Sequence, residues 1–471
     1  MAKNKQQLVS LLSLVLYLVL LSRRDCDAAR ILAIWHFDGR SHANVLQPVA
    51  KALAAAGHRV DVVSHYPLRE RFPNYTDLID AIGHLWDVPI VGVSTTRLYL
   101  EDKLVVADPP NLAIAPGHCR FHRAELSFWE RLENYPERMA LQRELVDEYL
   151  GPGLPSFDEM RRNVALVLSN SHFSYYGAQP KVPAVVEIGG IHVQRTREAG
   201  KKNATAPIGL KRFMDESRDG FLYFSFGSLM ALETLPRDIL DNFYEAFEAV
   251  APVRVIMKVA DRELLPSDVP KNVLTATWLP QQQILQHKNL RAFVTHGGGL
   301  GSQEAIYHHA PMLCVPFFAE QRINCDILVA KGVAVKLDVL QAQRQDYHRA
   351  FHEILSNHRR YKTSMRAFCE QFWDRPDEAS SPQKLVVYWV EYVLRHGRHA
   401  LQSPAVKLHW WQAQLLDVYG FLVVATLAAL ALLVAALRFL LLVSRIVLRR
   451  SRCRKRGNEV TAAAADSKKS Q

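Results

Sequence analysis

Apolar residues in the first half of the chain recur with two periods, and the periods alternate. "RILAIWHF" (30–37) is a short run dominated by apolar residues and reads as a strand, followed by a polar turn. "VLQPVAKALAAAGHRV" (45–60) repeats its apolar positions every three to four residues, as an amphipathic helix does, and "DVVSH" (61–65) returns to a strand. Strand, helix and strand in that order form a βαβ unit and imply a parallel sheet. The alternation continues through a strand at "PIVGVST" (89–95), a helical stretch at 128–149 and a strand at "VALVLSN" (164–170). The polar segment "REAGKKNATAP" (197–207) reads as a linker. Beyond it, "FLYFSFGS" (221–228), "VRVIMKV" (253–259), "VLTATWLP" (273–280), "RAFVTHGG" (291–298) and "PMLCVPF" (311–317) are strands with helical segments between them. The pattern predicts an α/β chain of two halves.

Two longer apolar runs break this rhythm. "LVSLLSLVLYLVLLS" (8–22) follows the positive "MAKNKQQ" and precedes the small residues "CDA" (26–28), the layout of a cleaved secretory signal. Residues 419–443, about 25 at 1.5 Å each, exceed a ~30 Å hydrocarbon core and read as a single C-terminal transmembrane helix. Arg438 near its far end can snorkel to the interface. The cluster "RRSRCRKR" (449–456) directly after it places the tail in the cytosol and the bulk of the chain in the lumen.

Composition changes this picture little. The chain has 471 residues, 49% hydrophobic, with 58 basic against 47 acidic side chains. That length suits two or three domains, and the net charge of +11 owes much to the tail cluster, with no aromatic-interleaved basic motif of the kind that binds nucleic acid. The sequons at Asn74 and Asn203 lie on the lumenal side, and Lys468 and Lys469 stand as in a dilysine endoplasmic-reticulum retrieval signal. Cys119, Cys314, Cys325 and Cys369 have no metal-ligand spacing, and Cys314, inside a predicted strand, reads as core.

Candidate chemistry concentrates in "FVTHGGGLGSQEAIYHHAPMLCVPFFAEQ" (293–321). A strand that runs through glycines into a helix start aims free backbone N–H groups and the positive end of the helix dipole at one spot, which suits phosphate. His296 can donate to a phosphate oxygen, Glu304 can accept from a ribose hydroxyl, and Glu320 with Gln321 can grip sugar hydroxyls. Upstream, Trp278 offers a face for a planar base and Gln281 an amide to read its edge. A lone glycine run is more often a plain turn, and a lone Trp more often core; the assembled set is hard to explain as packing.

At these residues the chain resembles the animal UDP-glycosyltransferases, through Thr295-His296, Gly298, Gly301, Glu304, Pro311, Pro316 and Glu320-Gln321. The resemblance extends through "YFSFGS" (223–228), "PAVVEIGGIHV" (183–193), "FWERLENY" (128–135) and "VVYWVEYVLRHG" (386–397), and "THGGGLGSQEAIYH" is most like the arthropod branch. It implies the GT-B arrangement of two Rossmann-like domains facing a cleft. The acceptor-binding domain would occupy 29–206 and the UDP-sugar-binding domain 207–396. A membrane-proximal segment (397–418), the span (419–443) and a basic tail (444–471) would follow. Ligands of such sheets sit at the carboxyl ends of the strands, where Ser228, Trp278 and the glycine run fall. UDP-glucose or UDP-glucuronate would be co-substrate, with no metal or other cofactor, and the arthropod-like motif favours glucose. The acceptor would be a small lipophilic molecule, and the resemblance points to His42, rather than His36, as the general base of an inverting transfer.

One departure from the family stands out. The family pairs its base with an acid at the end of a later N-domain strand. Here "HYPLRERFPNYTD" (65–77) passes directly into "LIDAIGHLWDVPIVGVS" (78–94), where the family has several tens of residues. Asp77 and Asp80 flank the junction, but neither follows an apolar run able to serve as that strand. Its loss should leave the 30–37 strand without a neighbour on one side, with N–H and C=O groups unpaired. A second reading follows: an inactive relative that binds UDP-sugar, or that joins active homologues as a homo- or hetero-oligomer. A nicotinamide dehydrogenase is disfavoured because no G-x-G-x-x-G follows the first strand.

Overall fold

A computed structural model describes residues 19–21, 29–35, 40–64, 73–78, 90–96, 164–193, 208–228, 230–317, 320–376, 381–408, 410–413 and 415–467. His36, Asp80, Cys119, Asn203, the expected 128–149 helix and 197–207 linker, Lys468, Lys469 and most of the expected leader lie outside these residues. Residues Met1–Val406 form one compact unit and Lys407–Gln471 a second.

The first half runs β1 Val19–Leu21, β2 Arg30–Ile34, α1 Arg40–Ala55, β3 Arg59–Val63, β4 Tyr75–Leu78, β5 Ile90–Ser94, β6 Val164–Ser169, α2 Phe173–Tyr176 and β7 Val185–Glu187. The expected βαβ unit is present: β2 and β3 pair in parallel across α1. Helix α1 starts five residues before the periodic segment, so His42 lies in its first turn rather than in a loop. Pro48 inside the helix removes one backbone bond, and the fully buried Val45, Val49 and Leu53 offset that loss through packing. Across the sheet, Arg30 donates to the buried carboxylate of Asp61 at 2.8 Å.

Two expectations about the junction are corrected. Asp77 does lie in a strand, because β4 pairs in parallel with β3. It takes the outer edge of the sheet, away from β2, and edge strands tolerate polar residues. Nor is β2 bare on its other side, since Val19–Leu21 pairs with it antiparallel. Strand-edge N–H and C=O groups demand partners, and an apolar segment near in sequence supplies them. Among the described residues the first half's strands nevertheless fall into two sheets, β1-β2-β3-β4 and β5-β6-β7. Along the chain the change of sheet falls between β4 and β5, at the junction where the resemblance places the missing segment. One apolar core still underlies both sheets, from Ile31 and Val62 to Val93 and Leu166.

The second half runs α3 Ile208–Glu216, β8 Phe221–Ser225, α4 Arg237–Ala249, β9 Arg254–Lys258, β10 Val273–Ala276, α5 Gln281–Leu285, β11 Leu290–Thr295, α6 Gly299–Tyr307, β12 Met312–Cys314, α7 Gln321–Ala330, β13 Ala334–Lys336, α8 Arg344–Ser356, α9 His358–Trp373 and α10 Pro382–His396. Its six strands form one parallel sheet in the order β10-β9-β8-β11-β12-β13. Strand β8 is buried along its whole length, with Phe221 and Tyr223 in the core on one face and Leu222 and Phe224 in the core on the other. Helices therefore cover both faces, as parallel sheets require. Cys314, at the end of β12, is core as expected.

Each half also lends an element to the other. Tyr175 of α2 is fully buried in the second half's core beside Phe368 and Phe372. Helix α10 is capped by Ser381, which accepts from Lys384 N–H, and ends at Gly397 with φ 85°. It returns to the first half and buries Val386, Val390 and Val393 in that core.

In the second unit, after a short helix α11 Trp410–Ala413, helix α12 runs Leu416–Ser467. Its stretch Leu416–Leu448 is long and apolar enough to cross a membrane. The helix continues through the basic cluster, where the sequence suggests only a tail; Arg, Lys and Ala are all good helix formers.

Candidate active site

The glycine run is built as a turn that only glycine fits. After β11 come His296 and then Gly297 with φ 79°, where a Cβ would lie 2.4 Å from the Cys325 sulfur. A Cβ on Gly298 would lie 2.4 Å from His296 Nε2, and one on Gly227 would lie 3.0 Å from His296 Cε1. The imidazole is thus held between two bare backbones, at the carboxyl ends of β8 and β11. Asn324 Nδ2 donates to the Gly297 carbonyl at 2.9 Å and pins the turn from α7. Burial, then the nearby Lys258 ammonium, push the His296 pKa down to about 4, so the ring is neutral near pH 7. Its Nδ1 is buried without a hydrogen-bond partner among the described residues.

Helix α6 begins three residues earlier than "SQEAIYHH" indicates, which brings Gly299 and Gly301 into its first turn. Gly298 is its N-cap, no side chain caps it, and no acidic residue lies in the first turn. Its leading N–H groups therefore lack the side-chain acceptors that usually satisfy a helix start. This is the geometry of an anion site.

Glu304 lies on the second turn of α6, 9% exposed. Gln281 Nε2 donates to its Oε2 at 2.6 Å and Gln282 Nε2 to its Oε1 at 3.0 Å. Burial pushes its pKa up to about 7, against the opposing pull of these two amides. Gln281 also accepts from the Tyr223 hydroxyl at 3.1 Å, so its amide is engaged at both ends. Trp278, between β10 and α5, is 56% exposed and keeps a free ring surface. Ser228 is exposed after β8. Gln321 is buried and accepts from Phe317 N–H at 3.0 Å, while Glu320 precedes α7.

The site residues of the second half thus converge at the carboxyl ends of β8, β10, β11 and β12. His42 lies in the first half, on α1, where burial pushes its pKa down to about 4. Sequence reasoning missed the supports. Tyr223 was a strand residue, Gln282 one of three glutamines, Asn324 an unremarked helix position, and Lys258 a strand end whose ammonium donates to the Gly227 carbonyl at 2.6 Å. The strand-end position of Lys258 was the one available signal. Asn74 has φ 60° and its amide donates to the Ala54 carbonyl at 3.3 Å. Among the described residues no group of His, Cys, Asp and Glu is arranged to hold a metal.

Comparison with known proteins agrees with this geometry. The family model for "UDP-glucoronosyl and UDP-glucosyl transferase" matches residues 144–453. UDP-glucosyltransferase 2 of Dactylopius coccus is 30% identical over 88% of this chain and 93% of its own length. That alignment is 497 positions long, and 88% of 471 residues is about 414, so 497 less 414 leaves roughly 80 positions opposite gaps in this chain. A UDP-glucuronosyltransferase of Pleuronectes platessa is 34% identical over 61% of this chain and 58% of its own length. Among solved structures, Os79 from O. sativa in complex with UDP superimposes with a TM-score of 0.51 at 12% identity, over 77% of this chain and 99% of that one. The fold is that of GT-B glycosyltransferases.

Proposed function

This chain belongs to the UDP-glucoronosyl and UDP-glucosyl transferase family, and from that premise we propose that it is built to move a hexose from a UDP-sugar to a hydroxyl of a small lipophilic acceptor. The observation that carries the donor assignment is the uncapped start of α6 beside a histidine held between two glycines. The diphosphate would sit on the α6 N–H groups and His296, with Gly298 and Gly301 leaving room for close approach. The uracil would stack on Trp278, the ribose hydroxyls would donate to Glu304, and Ser228, Glu320 and Gln321 would line the phosphate and sugar. Gln281 would orient Glu304 and present its remaining lone pair toward the base. Domains 29–206 and 207–396 would bind acceptor and donor. His42 would take the acceptor's proton as it attacks the anomeric carbon, with inversion and without a metal.

The donor site has a direct test. His296→Ala and Glu304→Ala are each expected to weaken UDP binding to the full chain by more than tenfold, about 1.4 kcal/mol or more. Ribose hydroxyls donate to the ionised form of Glu304, so UDP-glucose affinity should rise with pH between about 6 and 8 in the wild type. It should stay flat across that range in Glu304→Gln. Calorimetry that gives equal affinities in wild type and both alanine variants would remove the phosphate and ribose assignments.

The second reading, donor binding without turnover, is favoured by the split of the first half's strands into two sheets, which falls between β4 and β5 along the chain. The family's base-orienting acid belongs to the segment missing there. Such a chain would still partner active homologues as a homo- or hetero-oligomer.

For location, we propose a single-pass protein of the endoplasmic-reticulum membrane, its leader removed, glycosylated at Asn74 and Asn203. The span 419–443 would lie within Leu416–Leu448, the catalytic halves in the lumen and the tail in the cytosol. Protease added to sealed microsomes is then expected to remove only the tail beyond about Ser444. Digestion of the two halves under those conditions would reverse the orientation.

A further inference from the structure

The donor helix is tied to the acceptor half by side chains that no packing requirement explains. Gln303, fully buried on α6, donates through Nε2 to the Asn170 carbonyl at 3.0 Å and accepts through Oε1 from Gly190 N–H at 2.9 Å. Both partners are backbone groups of the first half, just after β6 and just after β7. Asn170 reinforces the same point: its Oδ1 accepts from Gly190 N–H at 3.2 Å, and its Nδ2 donates to the Thr95 carbonyl at 3.0 Å, just past β5. Gly190 has φ 82°, and a Cβ there would lie 2.4 Å from the Trp373 ring. A glycine is needed to bring this amide within reach of Gln303.

A second tie runs the other way. His192, buried in the first half, lies 3.2 Å through Nε2 from the Leu300 carbonyl in the first turn of α6. A carbonyl only accepts, so Nε2 carries the proton. The same nitrogen lies 4.0 Å from Glu304 Oε1. A buried amide costs free energy unless its hydrogen bonds are made. An apolar side chain would fill the position of Gln303 without that demand, but it would leave the Gly190 and Asn170 groups less well held and the orientation of α6 unspecified.

We propose that Gln303 and His192 are positioning residues that latch α6 to the 170–171 and 188–193 segments, so that an occupied donor site and the placement of the acceptor half are coupled. The inference rests on the UDP-sugar reading of α6. Diphosphate on the leading N–H groups would fix the helix that carries Gln303, and the latch would pass that order to the Gly190 amide. Coupling between sites is reciprocal, so a latch tightened by the nucleotide must in turn tighten nucleotide binding by the same factor.

The test is hydrogen exchange across residues 186–193 of the full chain in detergent micelles, with and without saturating UDP-glucose, beside calorimetric affinities. In the wild type the ligand is expected to slow exchange there by about tenfold, a common size for coupling between sites. In Gln303→Met, which keeps volume but makes neither bond, the ligand effect should vanish and UDP-glucose affinity should fall by the same factor. His192→Phe serves as a second variant and should reduce the effect likewise. A residue that only stabilises the fold would raise exchange equally with and without ligand, leaving the ligand effect intact, and that result overturns the latch. So does a wild type that binds UDP-glucose with no slowing at 186–193, an outcome readable even when neither variant folds. Absence of binding altogether would take down the donor site and the latch together.

Discussion

Turnover of UDP-glucose and UDP-glucuronate on a panel of phenols is expected to be about four orders of magnitude slower for this chain than for one carrying the family's segment restored between Asp77 and Ile82, by analogy with loss of the orienting acid in a serine-protease triad. Two observations bear on the direction of that effect. The first half's strands stand in two sheets, and the chain passes from one to the other between β4 and β5, across the junction. The slot beside β2 is filled by Val19–Leu21. Cleavage of residues 1–28 as a signal, as proposed above, would leave β2 bare on that side. Asp77, on the far edge of the sheet, is poorly placed to substitute for an acid beside β2. Equal turnover by both chains, assayed in microsomes, would mean that Asp77, Asp80 or no acid at all suffices.

His42→Ala is expected to separate the two chains further. In the restored chain it should lower kcat by about two to four orders of magnitude, the usual contribution of a positioned general base. In the chain as it stands it should change little, because little turnover is left to lose. Burial alone holds His42 at about 4, so it is neutral at pH 7 but a weak proton acceptor. A carboxylate within hydrogen-bond reach would stabilise the imidazolium and raise that pKa. The restored chain should then lose activity as pH falls through the raised value, and the His42→Ala variant should show no such limb. Wild-type activity in restored His42→Ala would assign the base elsewhere.

What the sequence made legible was local. The glycine run, its flanking strand and helix, and the strands of the second half sit within a few residues of where periodicity places them, because burial of alternating side chains and the lack of a Cβ act at short range. The errors come from long-range competition. "YTDL" carries no strong strand signal, yet pairing with β3 makes it one. Val19–Leu21 reads as leader, yet an unpaired strand edge recruits it. Helix α10 continues the second half in sequence but buries its valines in the first. The same holds within the site. His296 and Glu304 could be chosen from residue type and spacing. Gln282 on Glu304, Asn324 under Gly297 and Gln303 across to Gly190 depend on contacts over 22 to 113 positions of chain. Such contacts have no periodic signature.

The second half is expected to supply every group that contacts UDP, with the first half only tuning the affinity through α6. Equilibrium titration of UDP into the full chain as it stands, in detergent micelles, tests it most directly. One-to-one saturable binding is expected with a Kd between about 1 μM and 1 mM, the range in which enzymes commonly meet their substrates, even where no transfer is detected. Absence of saturable binding at millimolar UDP would contradict the account.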